Sequence, residues 1–330
     1  MLKLVNLSNC ASDLELIHNS PECLRAFLNQ HHLDGLEMMF CDSWDSRVHK
    51  KEWIQGVHLR FWPNWLDFWH GNRQELLRQF GSDDQIEACY GALNPAGWLN
   101  VYRDNIRKAK MAGAKYLVFH VSQARIPELF NWQFNYSDQE VIEATLEVVN
   151  QLVEDIPPDM ELLFENLWWP GLTLQNKELT ALLLNKVKHS KVGIMLDVGH
   201  LMNTNPELKS QDEGIDYVLK IIESLGQYKN YIYGIHLHHS LSGEYIKQSR
   251  GIAVPQKNIL ARAMSHVLKI DEHLPFTSPA VNRILELVQP RYVVHEFMYT
   301  SIADWSRKVT TQQQAVRYLG DLTNEKNVYR

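Results

Sequence analysis

Short apolar runs recur along this chain, and most of them stop on a side chain that can hold a proton or a cation. The clearest is KVGIMLDVGHLMN at residues 191–203, where a run over 192–196 halts at Asp197 and His200 follows one helical step later. Unbroken apolar character bounded by glycine is the pattern of a strand covered on both faces, as in a parallel α/β sheet. The same ending recurs in GVHL at His58, YLVFH at His120, LLFEN at Glu165, YGIHLHH at His236 and VVHEF at Glu296. Taken in order, the pattern predicts strands at residues 3–8, 35–40, 55–61, 115–121, 161–165, 192–196, 231–237 and 291–296.

Helical periodicity fills the intervals. A helix over 21–30 opens on Ser20 and Pro21, and another runs from Asn94 and Pro95 to a glycine stop at Gly113. Ser137 and Glu140 form a capping box ahead of EVIEATLEVVNQLVEDI, which Pro157 and Pro158 end. Further helices are expected at 176–188, 213–225, 258–268, 279–288 and 312–319, with two or three within 62–114. Between the second and third strands there is room for a couple of helical turns at most. Eight strands alternating with helices over 330 residues predict a (β/α)8 barrel, with residues 1–330 forming a single domain.

Composition narrows the function. A formal net charge of -6 lacks the basic excess of phosphate-backbone binding, so nucleic acid is a disfavoured partner. No GxGxxG or GxxxxGK[ST] asks for a nucleotide. Cys10, Cys23, Cys41 and Cys89 include no CxxC pair, which leads us to expect reduced, incidental thiols in a reducing compartment. With no apolar run of membrane-spanning length and no signal-peptide pattern at MLKLVNLSNC, a cytoplasmic protein with no membrane partner is expected.

In a barrel the C-terminal ends of all strands face one mouth, which makes His58, His120, Glu165, Asp197, His236 and Glu296 neighbours. His200 joins them just past the sixth strand, and Asp271 and His273 of IDEHLPF can reach in from the segment before the eighth. Taken singly, a histidine at a strand end is more often a rim or core residue than a ligand, but carboxylates and imidazoles crowded this closely ask for divalent cations. Alternation places His238 on the same side as His236 and turns His295 toward the helices. Trp62, in FWPNWLDFW, and Trp168 follow ligand strands; packing is the plainer role for both, and a stacking wall around a substrate is the alternative.

In GVHL, LVFH, FEN, GIMLDVGH, IHLHH, DEH and HEF, taken in that order, the chain resembles the xylose-isomerase-like TIM barrels and, among them, the AP endonuclease family 2 proteins typified by endonuclease IV. The resemblance spans nearly the whole chain as strand order. It implies a trinuclear site: one ion on His58, His120 and Glu165; a second on Glu165, Asp197, His236 and Glu296; a third on His200, Asp271 and His273. Sugar isomerases and epimerases of the superfamily are similar too, and imply a single ion on Glu165, Asp197, His236 and Glu296. GLEMMF resembles their early strand, which makes Glu37 a substrate-binding candidate. Where endonuclease IV carries Asn-Asp this chain has His238 and His239, and the mouth loops CDSWDSRVHKKEW and RFWPNWLDFWHGN are aromatic and mixed in charge rather than basic.

The expectation is therefore a metal-dependent hydrolase of phosphoesters, with a sugar or sugar-phosphate isomerase or epimerase as the alternative. Glu165 and Glu296 are the candidate catalytic carboxylates, and Glu37, Trp62, Trp168 and His238 the candidate substrate contacts. Nitrogen and oxygen ligands without thiolate suit Zn, with Mn or Fe as alternatives. The expected partner is a small phosphorylated or sugar-like substrate.

Overall fold

A computed structural model describes residues 1–252 and 259–316. Eight parallel strands close into a barrel in chain order. They are β1 Leu2–Ser8, β2 Gly35–Met39, β3 Ile54–His58, β4 Tyr116–His120, β5 Glu161–Glu165, β6 Val192–Asp197, β7 Ile232–His236 and β8 Tyr292–His295. The barrel is closed by pairing β1 with β8, Leu2 opposite Tyr292. Each predicted strand is present, several of them shorter at the C-terminal end than the apolar run that signalled them.

Register explains why the strand ends form a site. His120 pairs with Glu165 and Asp197 with His236, so the ligand-type residues share one level of the barrel. Side chains alternate in and out along a strand. Below that level the inward positions carry a floor of Leu4, Tyr116, Val118, Leu163, Met195, Tyr292 and Val294, all buried. Two glycines make room for the larger members of this floor. A Cβ on Gly56 would lie 2.0 Å from the Tyr116 ring, and one on Gly234 would lie 2.6 Å from the Met195 methyl. The outward faces of the strands pack under the helices in the main core.

The helices follow their capping signals. Ser20 caps Pro21–Gln30, Asn94 caps Pro95–Ala112 and Ser137 closes a capping box on Asp138–Val149. Residues 62–114 hold more helix than expected: Leu66–Trp69, Arg73–Phe80 and Asp83–Tyr90 precede Pro95–Ala112. The last helix is Ile302–Ala315, ten residues ahead of its expected start, because Ser301 caps it by accepting the Asp304 N–H. Residues 317–319 of the expected span lie outside the described residues.

The thiol expectation is corrected for one pair: Cys10 and Cys41 form a disulfide. They stand 31 residues apart in sequence, yet each follows the end of one of two adjacent strands, which brings their Cα atoms to 5.5 Å. That spacing is within disulfide reach. Cys23 and Cys89 are free. Among the described residues no helix is long and apolar enough to cross a membrane.

A smaller apolar cluster stands beside the mouth. Ile126, Phe130, Trp168, Ile246, Ala263 and Ile270 belong to it, joining segments that follow β4, β5 and β7. It carries Asp271 and His273 to the barrel axis, because helix Ile259–Ile270 ends against it. Gly56→Ala should force the Tyr116 ring aside and lower stability by about 1–3 kcal/mol, the usual cost of overpacking. Thermal denaturation of the variant measures this, and an unchanged melting temperature would contradict the packing of the floor.

Candidate metal centre

Three groups of buried side chains converge at the mouth. In the first, His58 Nε2, His120 Nε2 and Glu165 Oε2 form a triangle with sides of 3.0, 3.1 and 3.0 Å. In the second, His236 Nδ1 lies 3.3 Å from Glu165 Oε1, 3.7 Å from Asp197 Oδ2 and 3.1 Å from Glu296 Oε2. In the third, Asp271 Oδ2 lies 3.1 Å from His200 Nε2 and 2.6 Å from His273 Nε2. Tetrahedral zinc with N and O ligands holds its donor atoms about 3.3 Å apart. Most of these separations are close to that, so the side chains stand nearly as coordination would place them.

Four of the five imidazoles, His120 excepted, are oriented by their other nitrogen; His120 Nδ1 is buried with no hydrogen-bond partner. Nδ1 of His58 donates to the Leu59 carbonyl, Nδ1 of His200 to that of Asn166 and Nδ1 of His273 to that of Glu296. Nε2 of each then faces the cluster, donating to a carboxylate oxygen while it carries a proton and offering its lone pair once that proton is displaced. His236 is turned the other way: Nε2 donates to Glu37 Oε1 at 2.9 Å and Nδ1 faces inward. Such partners set the tautomer and the angle of a metal-binding imidazole. The Tyr116 hydroxyl donates to Glu37 Oε2 at 2.8 Å, which pins the carboxylate from below.

Glu37 is a buried partner of His236, its carboxylate taken up by two donors, and it also lines the cleft at the ligand groups. His238 is held in a similar way. It is fully buried, its Nε2 donates to Asp197 Oδ2 at 2.9 Å, and its ring lies flat on His273 with centroids 4.0 Å apart. It lies within reach of the third group. Its Nδ1 is buried with no hydrogen-bond partner, so besides holding Asp197 it offers a further donor to the third group.

The tryptophans face away from the cleft. Trp62 packs among Tyr90, Trp98 and Tyr102 and donates to the Cys89 carbonyl at 2.7 Å. Trp168 is buried in the side cluster with its ring 5.0 Å from that of His200, backing the histidine. The aromatics that line the cleft are Phe61, Phe297 and Tyr299, of which Phe61 is stacked on His120 at 4.1 Å and 40% exposed. Its sequence signal was its place directly after the His58 strand. Asn166 is a second residue the sequence reading passed over, although it sits in the FEN motif. It donates to the Asp197 carbonyl and accepts the Asp197 N–H, both at 2.9 Å, locking the ends of β5 and β6 together. Asp197 also caps helix Val198–Asn203 by accepting the His200 N–H at 2.6 Å, which is why aspartate and histidine stand three apart.

The groups perturb one another strongly. Burial alone disfavours every charge here, yet the neighbouring histidines hold Glu165, Asp197 and Asp271 below the usual carboxylate range. Burial likewise opposes protonation of His200, His236 and His273, and the adjacent carboxylates override it, pushing His273 up to about 9. Burial wins at His120, which falls to about 4, and at Glu296, which rises to about 7. Glu165 Oε1, His236 Nδ1 and Glu296 Oε2 are buried with no hydrogen-bond partner. Buried polar atoms left in that state are costly, and a cation among them would satisfy all three. The residues therefore fit divalent metal.

Removing the carboxylate partner should weaken the second group alone: Glu37→Gln is expected to lose about 10–100-fold in affinity for its ion. Equilibrium dialysis against competing chelators measures this, and an unchanged affinity would remove Glu37 from the site. The pH response follows from the same groups. A histidine whose folded pKa is raised to about 9 stabilises the metal-free protein fully below about 6.5 and loses that stabilisation as pH rises through 9. Glu296, raised to about 7, acts in the same direction. Metal binding must displace those protons and strengthens as pH rises. The melting temperature of metal-free protein should fall between pH 6.5 and 9 while the increment from added metal grows, as scanning calorimetry would record.

Comparison with known proteins agrees with this architecture. A family profile described as xylose isomerase-like TIM barrel, AP endonuclease 2, matches residues 94–282, more than half of the chain. A D-tagatose 3-epimerase-like protein matches with a TM-score of 0.51 at 15% identity, over 99% of each chain. The 3-keto-D-glucoside 4-epimerase YcjR of E. coli matches with 0.50 at 11% identity, over 96% of this chain and 100% of its own. Endonuclease IV of Thermus thermophilus stands at 0.49 and 14% identity, over 96% of this chain and 98% of its own. A search of curated protein sequences finds no match. At such identities the likeness to the epimerases is one of fold and carries no reaction across. Profile and architecture together identify the chain as a member of the xylose isomerase-like TIM barrel family.

Proposed function

We propose that this chain is a divalent-metal-dependent hydrolase acting on a small phosphoester. The observation that carries the reading is the division of Glu165 between two groups. Its Oε2 lies about equally far from His58 and His120, while Oε1 faces His200 and His236 at 3.3 Å. One fully buried carboxylate thereby places two cation positions on either side of itself, with a third group adjoining through His200. A sugar isomerase working with one ion has no use for the first and third groups.

His58, His120 and Glu165 would hold one ion, Glu165, Asp197, His236 and Glu296 a second, and His200, Asp271 and His273 a third. Zinc is the favoured metal for this donor set, with manganese or iron as alternatives. Bound divalent ions supply charge neutralisation to a phosphoryl group and make a nearby water more acidic. The protein's part is to keep the donors fixed and dry. Glu296, at the edge of the cleft, is the carboxylate placed to take or return a proton from water, and Glu165 spaces the cations. Phe61 covers His120 against solvent, which raises the strength of every charge interaction beneath it.

The isomerase alternative keeps one point in its favour: the second group is complete by itself with four donors. Elemental analysis separates the readings. Protein loaded with zinc should hold about three ions per chain, and His58→Ala and Asp271→Ala should each lose about one. Both variants should lose at least about 100-fold in hydrolysis of bis(p-nitrophenyl) phosphate. One ion per chain, with solvent deuterium entering a ketose incubated in D2O, would establish the isomerase instead.

A further inference from the structure

From the ligand groups a cleft of about 450 Å³ runs outward between helix Ala11–Leu16 and the segment after β8. Its walls beyond the ligands are apolar or neutral except for Asp13 and Glu37. Phe61 and Met298, 40% and 46% exposed, offer hydrocarbon surface, and Ser12 and Thr300 offer hydroxyls. No lysine or arginine lines it among the described residues. The nearby cations are engaged: the Arg60 guanidinium lies over the Trp62 ring, 5.6 Å from its centroid, and Lys308, behind the wall, donates to the Met298 carbonyl and pairs with Asp304 at 3.5 Å. Apart from the ligands and the occupied Glu37, the charged side chain in the wall is Asp13. Its Oδ2 accepts the Ser8 N–H at 2.8 Å, the Ser8 hydroxyl at 2.6 Å and the Tyr299 hydroxyl at 3.5 Å. These contacts fix the carboxylate at the cleft wall and leave Oδ1 available.

This arrangement cannot welcome a chain of phosphates. Nucleic-acid backbones are held by lysine and arginine, and each uncompensated phosphate beside Asp13 would meet a like charge. We propose that Asp13 is a specificity-determining residue that limits the substrate to a phosphodiester with a single phosphate and a neutral or cationic organic arm. The phosphate lies at the ligand groups, and the arm lies along Phe61 and Met298 toward Asp13. The inference rests on the hydrolase reading and names its substrate class.

Three phosphonates of similar length test it by calorimetric titration of zinc-loaded protein: propylphosphonate, 2-aminoethylphosphonate and 3-phosphonopropionate. The first two should bind about five- to tenfold more tightly than the carboxylate-bearing third, the size of effect one partly screened charge produces. Asp13→Asn should abolish that difference. Ser12→Lys, which leaves Asp13 and its contacts in place, should raise affinity for 3-phosphonopropionate and guards against a folding defect in the first variant. Equal affinities in the wild type, or a preference that survives in Asp13→Asn, would overturn the assignment of Asp13 while leaving the hydrolase intact. Failure of all three phosphonates to bind metal-loaded protein would overturn the hydrolase reading, and this inference with it.

Discussion

Glu165 is the constraint from which the rest of the mouth follows. It is fully buried, and its two oxygens lie within about a hydrogen-bond length of four imidazoles. A carboxylate removed from water in this way persists only if positive charge surrounds it, whether protons on histidine or a metal ion. The surrounding histidines are themselves ringed by Asp197, Asp271 and Glu296, so the requirement passes outward until it reaches groups that water can serve. Proton and cation compete for the same donors. The metal-free state of such a centre is held together by protonated histidines, and the loaded state by the ion.

Holding so many like groups together takes rigidity, and the barrel supplies it in two layers. The floor of Tyr116, Met195, Tyr292 and their neighbours is closely packed, with Gly56 and Gly234 admitting the larger side chains. Above it, backbone carbonyls hold His58, His200 and His273 from behind, Glu37 holds His236, and Asn166 holds the backbone of Asp197. Tyr116 belongs to both layers, since its ring packs in the floor and its hydroxyl holds Glu37. Packing below is therefore coupled directly to the angle of His236 above. The third group depends on a different support, the apolar cluster beside the mouth that brings Asp271 and His273 over the barrel.

The two sides of the mouth differ in chemistry. On one, Trp168 and the side cluster back His200 with hydrocarbon; on the other, Phe61 and the segment after β8 border an open cleft bearing one fixed carboxylate. The ligand groups open to solvent on the second side, past Phe61, Met298 and Asp13. The disulfide between Cys10 and Cys41 ties together the loops that follow β1 and β2 at this edge.

Much of the architecture was legible in the sequence because one physical rule repeats at every strand. An apolar run signals burial on both faces, and a histidine or carboxylate at its end can lie only at the barrel mouth. That rule located the strand ends and His58, His120, Glu165, Asp197, His236 and Glu296 there, whereas His200, Asp271 and His273 lie off the strands and were signalled by the motifs DVGH and DEH. It could not say which way a side chain turns once two directions are open. Trp62 and Phe61 are neighbours in sequence, yet one packs under helices and the other faces the cleft, a choice set by the helices of residues 66–112. The hydrogen bonds that hold Glu37 and His238 were out of view because their donors and acceptors, Tyr116, His236 and Asp197, lie tens of residues away or on another strand. The bond between Cys10 and Cys41 and the want of basic residues along the cleft have the same origin. Both are properties of strands side by side: β1 beside β2 brings Cys10 to Cys41, and β1 beside β8 sets helix Ala11–Leu16 against the segment after β8.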